Sequence, residues 1–227
     1  MPSTTGSSDR DSHDADGMTQ RPSPIVGVIL AGGLSRRMGA EKAFVSLAGR
    51  PLLAHAIGRL APQVDRLILN ANGDPGRFAA FGLPVVPDPL PGHAGPLAGI
   101  LAGLLFARAN VPEARSVAAI AVDTPFFPDD LVARLAAASD GARRIAVASS
   151  GGRLHPVFGA FPVDSAEDLM SFLNAGGRRV TDWLATRPVV AVAFPSSGPV
   201  GPFFNVNTPA DLDAAGGSER LHIQDGE

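Results

Sequence analysis

The feature that most narrows what this chain can fold into is an alternation: short apolar, β-branched runs separated by stretches of helical period. The runs at 25–30 (IVGVIL), 66–70 (RLILN), 84–86, 116–122 (SVAAIAV), 145–148 and 189–194 hold few polar residues. Strands of that kind are expected where both faces of a sheet are covered. Between them, Leu97, Ile100, Leu101, Leu104 and Leu105 follow helical spacing over 96–107. Leu131, Val132 and Leu135 repeat it over 128–138, behind Pro128 and two aspartates suited to a first helical turn. Strand, helix, strand repeated from residue 25 to about 138 predicts a doubly wound, mostly parallel α/β sheet. Ligands of such sheets bind beyond the carboxyl ends of the strands.

Composition sets the boundaries around this reading. The 227 residues suffice for one large domain, expected over 24–215. A polar, acidic segment at 1–23 is expected to be a disordered tail, and 216–227 turns polar again. With 19 Lys and Arg against 22 Asp and Glu, the chain lacks the basic excess that nucleic-acid binding normally requires. There is no cysteine, which excludes disulfides, thiolate zinc sites, iron–sulfur clusters and thiol nucleophiles. No two of the five histidines have zinc-pair spacing, so a hard, oxygen-bound cation such as Mg²⁺ is the metal that remains. The 96–107 stretch is too short for a bilayer and no secretory signal precedes it; no membrane partner and a cytoplasmic location are expected.

The strand-end rule points first to Leu30-Ala31-Gly32-Gly33 and on to Lys42. Adjacent glycines let a backbone turn tightly and aim its N–H groups at an anion. Arg36, Arg37 and Lys42 add positive charge nearby. The spacing matches neither the P-loop nor GxGxxG. Two readings stand, a plain turn with solvated bases or a polyphosphate cradle, and the joint occurrence of position, glycines and cations points to the cradle. Asp123 closes an apolar run, where an acid is costly without a task or a partner; the alternative is a cap on the turn at Thr124-Pro125. Gly95, Gly99 and Gly103, four apart, read as close packing of a helix on the sheet. Thr208-Pro209-Ala210-Asp211 reads as a helix cap. Asn205 and Asn207, alternating before it, would share one side of an extended segment.

These motifs resemble the fingerprint of the molybdenum cofactor guanylyltransferases. It stands here as Leu30-Ala31-Gly32-Gly33, Arg37-Met38-Gly39, Glu41-Lys42 and Gly49-Arg50-Pro51-Leu52, with Glu41 where the family usually has Asp. Asn70-Ala71-Asn72, Pro87-Asp88, Gly95-Pro96-Leu97-Ala98-Gly99, Asp123-Thr124-Pro125-Phe126, His155-Pro156, Gly177-Arg178-Arg179-Val180 and Phe204-Asn205-Val206-Asn207-Thr208-Pro209 extend the likeness over nearly the whole body. The resemblance implies a Rossmann-like nucleotidyltransferase domain that transfers GMP from GTP to molybdenum-molybdopterin and releases pyrophosphate. It assigns nucleotide binding to Leu30, Ala31, Gly32, Lys42, Asn70, Asp88 and Asp123, with Arg37, Lys42 and Asp123 as the catalytic set and Asp123 on Mg²⁺. It places Asn205 and Asn207 toward the cleft, and His155, Arg178 and Arg179 where the pterin pocket forms. For the two arginines a solvated basic turn is the competing reading, and Trp183 reads as core rather than as a pterin-stacking ring. An upstream molybdenum-insertion enzyme and recipient molybdoenzymes are the protein partners it implies.

Other functions fit parts of the pattern. A cytidylyltransferase for the same pterin would be expected to read L-A-A-G where this chain has Gly32-Gly33, and a sugar-phosphate nucleotidyltransferase usually carries more sequence after the second acidic strand. A nucleotide-binding module without catalysis would not need Arg37, Lys42 and Asp123 together.

Overall fold

The computed structural model describes residues 23–32, 41–91, 95–196 and 200–224, the last eight for backbone alone. In chain order the elements are β1 (Ile25–Leu30), a hairpin of β2 (Ser46–Leu47) and β3 (Arg50–Pro51), α1 (Leu52–Leu60), β4 (Arg66–Asn70), β5 (Val85–Val86), α2 (Pro96–Asn110), β6 (Ser116–Ala121), α3 (Leu131–Ala138), β7 (Ile145–Ser150), β8 (Arg153–Pro162), α4 (Ala166–Asn174), α5 (Val180–Leu184), β9 (Val189–Ala193) and α6 (Pro209–Gln224). The main sheet has seven strands in the order β5-β4-β1-β6-β8-β7-β9. Every pairing is parallel except those of β8, which runs antiparallel between β6 and β7. This is the expected mostly parallel sheet.

Helices cover both faces. On one, Leu97, Ile100, Leu101 and Leu104 of α2 pack with Leu169 of α4 and Trp183 of α5; on the other, Leu53 and Leu60 of α1 join Leu131 and Leu135 of α3 around Phe127 and Phe158. The helix α2 is buried nearly all round because α4 packs along it; its leucine pattern alone describes only the sheet-facing side. Trp183 is fully buried, as the core reading expects.

Three local differences from the sequence pattern have physical causes. The helix expected from 128 begins at Leu131, since the Leu131 N–H bonds to Pro128 O and closes a tight turn first. The strand β8 escapes the apolar pattern because Pro156 and Gly159 interrupt it. Its register jumps there, Val147 facing Gly159 while Ala148 faces His155, and such a bulge accommodates a residue without an N–H. The third is α6, whose backbone continues through the polar stretch from Gly216 as far as Gln224.

Register then decides where chemistry can gather. Leu30 lies level with Asn70 of β4 and Ala121 of β6, and Asn70 lies level with Val86 of β5. Four strands therefore release Ala31-Gly32, Ala71-Asn72, Pro87-Asp88 and Val122-Asp123 along one edge. Gly95, at φ 70°, turns the chain into the first residue of α2 at the same edge.

Candidate active site

A cavity of about 220 Å³ opens at this edge, lined by Leu30, Ala31, Gly32, Lys42, Asn70, Gly95, Pro96, Ala121, Val122, Asp123 and Val157. The Ala31 N–H bonds to Asn70 O at 2.9 Å and extends the sheet. The Gly32 N–H is then the first backbone donor past the sheet end.

Lys42 and Asp123 meet across the cavity. The Lys42 Nζ lies 2.5 Å from Asp123 Oδ2 and donates at 2.5 Å to Asn207 Oδ1. Both partners of the ion pair are about four-fifths buried, with side-chain exposures of 20% and 18%, so water screens it less than a surface pair. Among the described residues two of its three ammonium donors are engaged, which leaves one for a ligand oxygen. The Thr124 N–H bonds to Ala121 O at 3.3 Å and closes the turn that carries Asp123, whose Oδ1 also lies 3.3 Å from the Thr124 hydroxyl. The Thr124 hydroxyl donates to Asn205 Oδ1 at 2.5 Å, and the Val206 N–H donates to Asp123 O at 2.8 Å. Asn205 and Asn207 thus both reach the Asp123 turn, as their alternation suggested. The expected cap fixes this segment: the Asp211 carboxylate accepts from the Asn207 and Thr208 N–H groups at 2.9 and 2.8 Å, and Thr208 Oγ accepts from the Asp211 N–H at 3.2 Å. The bond from the Asn207 N–H, then that from Thr208, holds the Asp211 carboxyl below its ordinary value.

A second cluster lies beside β4. Asn70, 3% exposed, donates through Nδ2 to Val86 O at 3.1 Å and to Asp88 Oδ1 at 3.0 Å. Asn72 Nδ2 donates to Asp88 Oδ2 at 2.8 Å, and its own Oδ1 accepts the Asp88 N–H at 2.9 Å. Sequence reasoning gave Asn72 no role; the signal available was its spacing of two from Asn70 at a strand end. Gly99 lies directly under Asn70, where a Cβ would come 2.2 Å from Asn70 Oδ1, so this glycine is required by close approach.

The remaining candidates are distributed as follows. Arg36 and Arg37 lie outside the described residues. Glu41 pairs with Arg77, whose guanidinium lies over the Phe44 and Phe78 rings, so Glu41 braces the Lys42 turn from behind. Arg178 donates to Leu173 O at 2.8 Å and Gly177 O at 2.6 Å, closing the end of α4, and neither Arg178 nor Arg179 lines the cavity. His155 stacks on Phe203 with ring centres 4.4 Å apart and sits 2.8 Å from Ser150 Oγ. Burial and then the Arg153 charge push its pKa below the ordinary value.

Among the described residues no three His, Asp or Glu side chains converge as a metal cage. A divalent cation here would have Asp123 as its carboxylate and substrate oxygens as its other ligands, the usual arrangement for Mg²⁺. The ammonium already seated on Asp123 shows that this carboxylate faces a position suited to positive charge.

Known proteins resemble this chain in sequence and in fold. The family model described as MobA-like NTP transferase domain matches residues 27–189. A molybdenum cofactor guanylyltransferase of Bradyrhizobium sp. is 52% identical over 200 residues, covering 87% of this chain and 92% of the relative. Another, of Rhizobium meliloti, is 48% identical over 193 residues, covering 83% and 88%. In fold the chain is similar to the crystal structure of molybdopterin-guanine dinucleotide biosynthesis protein A from Archaeoglobus fulgidus, at a TM-score of 0.69 and 22% identity over 86% of this chain and 99% of that one. The chain belongs to the MobA-like NTP transferases and, among them, to the molybdenum cofactor guanylyltransferase family.

Proposed function

We propose that this cleft transfers GMP from GTP to the terminal phosphate of molybdenum-molybdopterin, forming the guanine dinucleotide form of the cofactor and pyrophosphate. As a member of its family the chain is a nucleotidyltransferase, and such enzymes typically use a divalent metal. The observation that carries the reading is the pairing of Lys42, Asp123 and Asn207 at a cavity whose wall also holds Asn70, itself bonded to Asp88.

A phosphate oxygen of the pterin attacks the α-phosphorus of GTP. One P–O bond forms as the bond to the bridging oxygen of the β-phosphate breaks, and pyrophosphate leaves with that electron pair. Leu30, Ala31 and Gly32 form the backbone rim for the triphosphate. Lys42 offers its remaining N–H to a phosphate oxygen, and with Arg37 it offsets the charge that builds on the leaving group. We take the metal to be Mg²⁺ held by Asp123 and the phosphates, where it supplies Lewis-acid stabilisation. Asp88 accepts from the base, because guanine presents N–H donors on one edge. Asn205 and Asn207 bound the acceptor side. Arg178 and Arg179 are assigned to the pterin's anionic groups, Arg179 more directly, since the Arg178 guanidinium is already bonded to two carbonyls. A cytoplasmic setting, receipt of substrate from a molybdenum-inserting enzyme and delivery to molybdoenzymes belong to the same proposal.

Titrating GTP and CTP against the protein in parallel, with Mg²⁺ present, tests the choice of nucleotide. Tighter GTP binding is expected; tighter CTP binding would overturn the guanylyl assignment in favour of a cytidylyltransferase.

A further inference from the structure

Asp88 has its backbone restrained by Pro89, which follows it. The residue preceding a proline is confined to extended conformations. Its side chain is restrained by Asn72, whose single amide grips two parts of the same residue: Nδ2 donates to Oδ2 at 2.8 Å while Oδ1 accepts the Asp88 N–H at 2.9 Å. Rotating the carboxylate relative to its own backbone would break one of these two bonds. Asn70 holds the other oxygen at 3.0 Å. A carboxylate has about four lone-pair sites, so with one amide on each oxygen both oxygens keep acceptor capacity. Two acceptors fixed side by side match a base edge carrying two adjacent N–H donors.

We infer that Asn72 is a positioning residue for base selection: it sets the Asp88 carboxylate so that both oxygens accept from guanine together. The inference rests on the reading that Asp88 meets the base. A single bond tolerates a swinging carboxylate, whereas two parallel bonds do not. Loss of Asn72 therefore reduces discrimination in favour of the 2-amino group more than it reduces nucleotide binding in general.

The test compares GTP with inosine triphosphate, which lacks only the 2-amino group, by equilibrium titration of the full-length protein with Mg²⁺. Wild type is expected to prefer GTP by about tenfold or more, the value of one hydrogen bond to a charged group. In Asn72→Ala the preference is expected to fall to about twofold or less. Asn72→Asp, nearly isosteric, keeps an acceptor for the Asp88 N–H but sets a like charge against Oδ2; it is expected to lose the preference as well, which keeps the test open if the alanine variant folds poorly. Both affinities falling equally, with the ratio preserved in both variants, overturns the inference and leaves Asn72 a stability residue. Wild type that binds GTP no better than inosine triphosphate removes the base-contact reading itself, a separate outcome.

Discussion

Gly99→Ala is the smallest change expected to disturb this site from beneath. The added methyl would stand 2.2 Å from Asn70 Oδ1 and 2.7 Å from Leu30 Cδ2. Asn70 has little room, being 3% exposed and bonded to Val86 O and Asp88, so it is the neighbour that must be displaced even where Leu30 gives way toward the cavity. Overpacking of this kind costs about 1–3 kcal/mol. Displacing Asn70 loses its bonds to Val86 O and Asp88 Oδ1, about 1 kcal/mol each. Alanine's helix preference over glycine returns about 1 kcal/mol. The net loss is then about 2–4 kcal/mol, a fall in Tm of about 5–15 °C for a domain of this size. Gly103→Ala is the control: one turn further along α2, its methyl would meet Val117 and Val28 at 3.1 Å, which small shifts relieve, so a loss of less than about 1 kcal/mol is expected. Thermal unfolding and GTP titration of both variants provide the comparison. If Gly99→Ala matches Gly103→Ala in stability and binds GTP like wild type, the account of how Asn70 is seated is wrong.

Lys42→Met should raise the Kd for GTP by about tenfold to a hundredfold, the worth of a charge-assisted bond to phosphate; an unchanged Kd in a direct titration would remove Lys42 from the triphosphate. Thr208→Ala should cost about 1 kcal/mol through loss of the α6 cap, seen as a lower urea midpoint with unchanged slope; no shift would mean that Asp211 alone holds the turn. In acid, the lowered pKa of Asp211 means that its stabilisation is present above the ordinary carboxylate value and is lost as pH falls through the folded one. Asp168 behaves alike: burial opposes its charge, but the bonds from Arg187 and Trp183 prevail. His155 favours its neutral form in the fold, so its contribution is full above pH 6.5 and declines as pH falls below it. His155→Phe should therefore flatten the fall in stability as pH drops below 6.5, and a slope equal to wild type in unfolding titrations would contradict this.

The strands that build the cleft were legible because parallel strands covered on both faces must be largely apolar, and 25–30, 66–70 and 116–122 hold few polar residues. Asp123 stood out for the matching reason, a charge at the end of such a run, and its partner proves to be Lys42. The alternation of Asn205 and Asn207 also carried through, because the α6 cap holds them extended toward Asp123. What stayed hidden depended on contacts distant in sequence. The antiparallel insertion of β8 breaks its own apolar pattern at Pro156 and Gly159. The outer side of α2 is covered by α4; the unbroken apolar run 96–107 signals a second buried side, but not which element covers it. Arg178 reads as a free cation in the sequence, yet it closes the end of α4. Asn72 resembles any strand-end asparagine until Asp88, sixteen residues later, lies against it.

The central claim is that this cleft joins GMP to the pterin. The most direct measurement incubates the protein with molybdenum-molybdopterin, Mg²⁺ and GTP labelled on its α-phosphate, and follows the label. One labelled pterin–guanine dinucleotide is expected for each unlabelled pyrophosphate released, and neither product from Asp123→Ala. Pyrophosphate released without a labelled dinucleotide, or equal yield from Asp123→Ala, would contradict it.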